Sequence, residues 1–531
     1  MTDVLLTAVA GVLDPVSLIL VIIGVGAGIL VGALPGLTAT MAIALLVPFT
    51  FGMAPIHGLV LLGAIYCGAI YGGSFSAILI NTPGTPSAIA TTFDGFPLAR
   101  KGEAYRAIVT ATIASVFGGL VGVAFLIFFS PPLARASLSF GPPEYFWLAA
   151  FGLTIIAAVS PRSTLKGLMG GGIGLLISTI GIAPIEGAVR FNFGTVALQN
   201  GISLIPALIG FFCIPEVLRM VEESHQSGQV VPYKRQRRMV FRVFHALVRK
   251  PWLMIRSSVL GTLIGVIPGA GGNIAGLVSY NEAVRTSKNR EKFGQGSIEG
   301  VAASESANNA SVAGALIPML TLGVPGAPPA AVLFGALLLQ GMRPGAELFS
   351  SYGTITYAFL FSLILANLAM LPLGIWMGKG VAKLMQKIKV QTMAPLIVFL
   401  SMVGSYSIYN NVADVYTMVI VGILAHVLRK AGFMPGPIVL GLILGPIAEQ
   451  GLTQSMLMGR AQGSMFAVFF TRPISLILIV LTLGSIVAPI ILRRRERLGK
   501  GGTLKALHEV QEHRSRTADT GNAGDSEGGR E

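Results

Sequence analysis

The chain has 531 residues, is 53% hydrophobic and is only 11% charged, which excludes an ordinary soluble domain, where roughly 25% of residues are charged. Many runs reach about 20 apolar residues, enough to cross a bilayer, so the expected fold is an all-α polytopic membrane protein with about 10–14 hydrophobic segments. The formal net charge of +15 would suggest nucleic acid in a soluble chain; here the basic residues lie mostly between apolar segments and read as orientation signals, so no nucleic-acid partner is expected.

In chain order, Met1 to Asp14 carry no basic residue ahead of the first apolar run. They lack the positive n-region of a cleaved signal peptide, and the first segment is expected to be retained. Apolar segments near 15–34, 37–50, 58–80, 107–130, 145–160, 165–183 and 200–220 make a first membrane repeat, residues 1–220. Residues 221–252 form a basic linker with Lys234, Arg235, Arg237, Arg238, Arg242, Arg249 and Lys250, which reads as cytoplasmic. Within it, Met239 to Val248 is too short to span, and Val240, Phe241, Phe244 and Leu247 share a helical face. A surface helix on the inner leaflet is expected; a recognition patch for a partner is the alternative. Segments near 253–280, 301–340, 352–376, 392–408, 414–428, 434–448 and 473–492 make a second repeat, residues 253–492. The run Arg493-Arg494-Arg495-Glu496-Arg497 places the C-terminus inside, and residues 493–531 read as a disordered cytoplasmic tail.

Two stretches interrupt the apolar pattern in the same way. Gly32-Ala33-Leu34-Pro35-Gly36 is followed by Pro83-Gly84-Thr85-Pro86, and Gly265-Val266-Ile267-Pro268-Gly269 by Pro325-Gly326-Ala327-Pro328. Broken helices in lipid leave backbone groups unpaired, which is tolerated only where protein or a water-filled cavity receives them. Paired breaks in corresponding halves point to a transporter's binding site. Arg100, Lys101 and Arg106 mark one inside loop, and Arg285, Lys288, Arg290 and Lys292 another. Segment 253–280 then has basic sequence on both sides and is expected to be a re-entrant hairpin folded at Pro268-Gly269. Segment 15–50 has almost no flanking positive charge and should start and end outside. Opposite charge bias at matching positions is what two inverted-topology repeats predict.

A helix that opens just after a break aims free N–H groups and a partial positive charge at it, which suits a carboxylate. The substrate candidates in the first half are Pro35, Gly36, Thr38, Thr40, Ser74, Asn81, Thr82, Pro83, Gly84, Thr85 and Ser87, with Ser76 nearby. In the second half they are Pro268, Gly269, Gly271, Asn273, Pro325 and Gly326, with Ser304, Ser306, Ser311 and Thr321 nearby. For any single Ser or Thr, ordinary close helix packing is the competing reading. Acids in apolar context are costly and rare; Asp94, Glu299, Glu305, Asp414 and Glu449 qualify. Glu305, Asn308, Asn309 and Asp94 are the candidates for a coupling cation, sodium or proton. Glu305 reads equally as a hydrogen-bonded structural acid, and Asp94 as the cap of a turn. No other metal and no cofactor is expected. Cys67 and Cys213 read as buried hydrophobes. The six histidines do not cluster, Gly271-Gly272 lacks the Gly-Lys-Ser/Thr ending of a nucleotide loop, and no nucleophile elbow appears. An enzyme is not expected.

At these motifs a resemblance becomes specific. Gly32 to Thr40, Tyr71-Gly72-Gly73-Ser74, Asn81 to Pro86, Phe93 to Ala99, Glu299 to Ala310 and Thr321 to Gly326 resemble, in order, the large membrane subunit of tripartite tricarboxylate transporters, over essentially residues 15 to 492. The resemblance implies a multi-pass permease of the bacterial inner membrane, importing tricarboxylates or related carboxylates on a sodium or proton gradient. Its implied partners are a small membrane subunit and a periplasmic substrate-binding protein. Ser304 and Ser306 stand where the family often has Pro and Ala, and Asn192 where Thr is usual, which leaves the substrate open. The rival reading is a passive channel or a non-transporting membrane scaffold subunit.

Overall fold

The computed structural model describes residues 2–159, 163–222, 230–233, 235–236, 238–269, 271–387 and 390–498, with backbone only at 157–159, 390–391 and 488–498. Lys234, Arg237 and the expected tail from residue 499 lie outside the described residues.

The described chain is helical almost throughout. The first half contains α1 (Thr2–Leu13), α2 (Pro15–Ala33), α3 (Ala39–Thr50), α4 (Pro55–Ile80), α5 (Ile89–Leu98), α6 (Ala104–Ala136), α7 (Pro142–Val159), α8 (Thr164–Ser178), α9 (Leu204–Phe212) and α10 (Ile214–Glu222). The linker holds α11 (Met239–Val248). The second half contains α12 (Pro251–Val266), α13 (Gly271–Thr286), α14 (Ile298–Leu322), α15 (Pro328–Leu339), α16 (Ala346–Ser350), α17 (Gly353–Lys387), α18 (Val390–Ser407), α19 (Val412–Lys430), α20 (Pro435–Ala461), α21 (Met465–Phe470) and α22 (Pro473–Leu498). Among the described residues, seven helices are long and apolar enough to cross a membrane, and further apolar helices are shorter. The last helix continues through 493–498, where the sequence suggested the start of the tail.

Local chemistry sets several starts. Asp14 accepts from the Val16 N–H at 3.0 Å ahead of α2, and Ser464 caps α21 through Ala467. Pro opens α2, α4, α12, α15 and α20, where its missing N–H costs nothing. The sequence did not suggest strands. A two-residue antiparallel pair, Gly181–Ile182 with Val189–Arg190, follows α8, and Arg190 fastens it to α20 through an ion pair with Glu449 at 2.7 Å.

Two helices are central. Every residue from Gly58 to Leu79 of α4 and from Gly300 to Thr321 of α14 is buried. Both are rich in Gly, Ala and Ser, which let backbones approach closely in a membrane protein. A Cβ on Gly72 would stand 2.6 Å from the Ile29 carbonyl of α2, and one on Gly122 of α6 would stand 2.6 Å from the Ala310 carbonyl of α14. The sequence halves interlock rather than stand apart. The first-half helix α6 packs on α12 and α14, while α17 packs on α2 and α4. Likewise α20 packs on α7 and α8, while α9 and α10 pack on α18 and α19. Each exchange is reciprocal, so the core is built from helices of both halves.

The linker helix forms where expected, but its faces divide differently. Met239, Val243 and Leu247 are buried, with Met239 and Val243 packed beside Tyr105 and Val109 of α6. Phe241 and Phe244 are exposed instead. Leu247 therefore belongs to the protein-facing side and does not share the exposed strip of Phe241 and Phe244.

Candidate functional site

All four breaks are real, and each has a defined geometry. In the first half, α2 stops at Leu34, Gly36 takes φ +90°, and Thr38 caps α3 by accepting from Met41 N–H at 3.2 Å. Helix α4 stops at Asn81, left-handed at φ 56°. Gly84 then donates to the Gly73 carbonyl at 3.4 Å, and a short turn at Pro86–Ala88 leads into α5. In the second half, α12 stops at Ile267, Gly269 takes φ +81°, and α13 opens at Gly271. Helix α14 stops at Gly323, left-handed at φ 72°. Gly326 then donates to the Ala315 carbonyl at 3.2 Å, and α15 opens at Pro328.

These are one motif used twice. Gly28, Gly32 and Gly36 recur as Gly261, Gly265 and Gly269, and Ile65, Ala69, Gly73 and Gly84 recur as Ala307, Ser311, Ala315 and Gly326, with unchanged spacing inside each set. The contacts recur with them. Cβ atoms on Gly28 and Gly32 would meet the carbonyls of Ile65 and Ala69; those on Gly261 and Gly265 would meet the carbonyls of Ala307 and Ser311. Gly84 lies on the Gly32 carbonyl as Gly326 lies on that of Gly265.

The breaks also meet across the halves. A Cβ on Gly272 would lie 2.8 Å from Ser87 Cβ, 2.7 Å from Asn308 Oδ1 and 3.1 Å from Ser311 Oγ. The second break of the first half thus sits beside the first break of the second half, over the middle of α14. In the reciprocal pair, α3 packs on α15, and Gln340 Nε2 donates to the Thr50 carbonyl at 3.3 Å where both helices end.

Beside the Ser87–Gly272 contact lies a buried polar cluster. Glu305 is fully buried; Ser115 of α6 donates to its Oε2 at 3.0 Å and Thr91 of α5 donates to its Oε1. Thr91 also lies 3.2 Å from the Ser304 hydroxyl. Asn308 stands beside the Glu305 carboxylate, while both amide atoms of Asn309 are buried with no hydrogen-bond partner among the described residues, as is the Ser74 hydroxyl. An unpaired buried amide is costly, about 1–3 kcal/mol, so Asn309 in this cluster points to a ligand or water that the cluster receives. The symmetry breaks here. In the repeat register, Leu62, Gly63, Tyr66 and Leu333 occupy the places of Ser304, Glu305, Asn308 and Thr91. The scaffold is duplicated and the polar site is single.

The other candidates fall in different surroundings. Asp94 is buried and fully engaged: it accepts from Tyr280 at 3.0 Å and from the Gly296 and Ser297 N–H groups at 2.8 Å each. It caps the entry to α14 from another helix. Thr85 pairs with Ser87 at 3.0 Å, Thr40, Gly271, Pro268 and Pro325 are buried, and Pro35 and Pro83 are half-buried. Asn81, Thr82 and Asn273 are exposed. Glu299 pairs with Lys250, and Asp414 lies buried in the first turn of α19. Cys67 and Cys213 are buried free thiols. Sequence reasoning missed Thr91 and Ser115. Each lies among Ala and Ile and is indistinguishable by spacing from a packing hydroxyl. Among the described residues, no group of three or more His, Cys, Asp or Glu side chains could hold a metal ion. The cluster's carboxylate, amide and hydroxyl oxygens suit a hard monovalent cation or a proton.

Apolar helices broken in pairs around buried polar residues define a polytopic membrane transport protein. The chain belongs to the tripartite tricarboxylate transporter TctA family, whose sequence model matches residues 18–440. It is 38% identical over 494 residues to an uncharacterized 52.8 kDa protein in the TAR-I ttuC' 3' region of Agrobacterium vitis, covering 92% of this chain and 96% of that one. It is 40% identical over 220 residues to an uncharacterized protein in the TAR-II ttuC' 3' region of the same organism, covering 40% of this chain and 87% of that one. No solved structure matches at a significant level.

Proposed function

We propose that this chain is the large permease subunit of a secondary transporter that imports tricarboxylates or related organic carboxylates. The observation that carries this reading is the meeting of Ser87 and Gly272 beside Glu305, Asn308 and Asn309. Helices α3, α13 and α15 each open just after a break, so their unpaired N–H groups and positive dipole ends can receive carboxylate oxygens without a basic side chain. The oxygens of Glu305, Asn308 and Asn309 are the candidate ligands of a coupling sodium ion, or Glu305 the carrier of a coupling proton.

A periplasmic binding protein delivers the anion, and a small membrane subunit completes the permease; membership of the family supports both. The basic loops at 100–106, 235–250 and 285–292, with Arg493 to Arg497, support a cytoplasmic side for those segments and the C-terminus of an inner-membrane protein. With that orientation, the α12–α13 hairpin enters from the inside and the α2–α3 pair from the outside.

The test is uptake of labelled citrate and smaller carboxylates into proteoliposomes carrying both membrane subunits. Uptake that requires the binding protein and collapses with the sodium or the proton gradient is the expected result. Uptake indifferent to both gradients and to the binding protein would identify a channel instead.

A further inference from the structure

Helix α11 closes a cavity of about 310 Å³ against the starts of α6 and α14, with Glu103, Arg106, Gln236, Arg242 and Ile298 among its walls. The helix presents three sectors, set by its turn of 3.6 residues. Met239, Val243 and Leu247 are buried in the protein. Phe241, Phe244 and Val248 form an apolar strip, 71%, 53% and 56% exposed. Arg242, His245 and Arg249 form an exposed basic strip on the edge that leads into the cavity. Trp252, 71% exposed, follows directly. An exposed apolar strip beside a basic one, ending in Trp, fits the level of lipid headgroups.

The charges in the cavity are unbalanced. Glu103 is neutralised by Arg106 at 2.7 Å. Arg242 has no ion-pair or hydrogen-bond partner among the described residues, and the Gln236 side chain adds an amide donor. A guanidinium and an amide lining one cavity at headgroup depth suit phosphate oxygens, which Arg binds through two parallel N–H donors. We propose that this cavity binds an anionic phosphate group, held chiefly by Arg242, with a phospholipid headgroup as its occupant. Assigning it to the inner leaflet rests on the orientation given above; the site itself rests only on the protein lying in a membrane. The occupant would matter beyond anchoring. Helices α6 and α14, which the cavity joins to α11, carry Ser115 and Glu305, so a bound headgroup would fasten the linker to the two helices that hold the buried acid.

The test uses the full chain in nanodiscs of phosphatidylcholine, with phosphatidylglycerol added or with inorganic phosphate in the buffer. Native mass spectrometry reads retained lipid, and tryptophan fluorescence reads Tm. Wild-type protein should retain phosphatidylglycerol and gain Tm. R242Q should bind it about fivefold more weakly, the effect of one basic residue near an anionic surface. R242K should be intermediate, and K383Q, at an exposed lysine on α17, should behave as wild type. A Tm gain with phosphate alone, lost in R242Q, keeps the site and makes a free anion its occupant. Equal retention and Tm in R242Q, equal loss in K383Q, or no response to either ligand would overturn the proposal.

Discussion

The backbone N–H of Gly269 donates to the carbonyl oxygen of Gly326 at 2.9 Å. That bond ties one helix break to another lying more than fifty residues on in the sequence. Backbone groups freed by one break are thereby used by the other, as an apolar surrounding demands. In the first half the same closure is made by contact, with Gly84 seated on the Gly32 carbonyl.

Neither seat has room for a methyl group. A Cβ on Gly326 would stand 2.5 Å from the Gly265 carbonyl oxygen and 2.7 Å from Ala315 Cα, and one on Gly84 would stand 2.5 Å from Ser76 Oγ as well as meeting the Gly32 carbonyl. G84A and G326A should each destabilise the protein by about 1–3 kcal/mol and abolish uptake. G172A in α8 meets nothing within 4 Å and should leave Tm unchanged or slightly raised. Thermal unfolding of the three purified variants checks this; an unaffected G326A would show that the junction gives way.

Glu305 is the one acid in the polar cluster, held by Thr91 and Ser115. If its charge state couples transport to a gradient, E305Q should lose gradient-driven uptake while retaining substrate exchange between loaded vesicles, a process that needs no net ion movement. Loss of both with a lower Tm would assign Glu305 to structure.

The unpaired amide of Asn309 makes a prediction of opposite signs. Replacing a buried amide that lacks partners removes a penalty of about 1–3 kcal/mol. N309A should therefore raise Tm in sodium-free buffer, lower uptake at limiting sodium, and lose any stabilisation that sodium gives the wild type. A variant that is less stable in every buffer would mean that water already satisfies these groups.

Asp94 accepts from the Tyr280 hydroxyl and from the backbone N–H groups of Gly294, Gly296 and Ser297. D94N should lower Tm by removing charge-assisted bonds, each about 1.5–3 kcal/mol, and Y280F should do so less. Neither should change the sodium dependence of the remaining uptake, measured as the half-saturating sodium concentration.

Single cysteines at Met53 and Lys288 test the mirror relation of the halves. Cys67 and Cys213 are buried, so the background of labelling is low. An impermeant maleimide added to intact spheroplasts should label position 53 and spare 288. Labelling of both from one side would mean that the repeat is duplicated without inversion.

The membrane class, the four breaks and their grouping in two halves were legible in the sequence, because Pro and Gly interrupting apolar runs have one meaning wherever they occur in lipid. Lys and Arg between the segments set an expected orientation for the same reason: charge is costly in hydrocarbon whatever the fold. The α11 helix was legible as an element, though not the division of its faces, since burial depends on what stands opposite. Only the tertiary structure decided which candidates share a site. It engaged Asp94 with Tyr280 and the entry to α14, exposed Asn273, and brought Thr91 and Ser115 to Glu305 from helices far apart in sequence. It also decided that the duplicated scaffold holds one polar cluster and not two. Helix breaks are local properties of the backbone, whereas a buried carboxylate is defined by the groups that surround it, and those come together only when the two halves interlock.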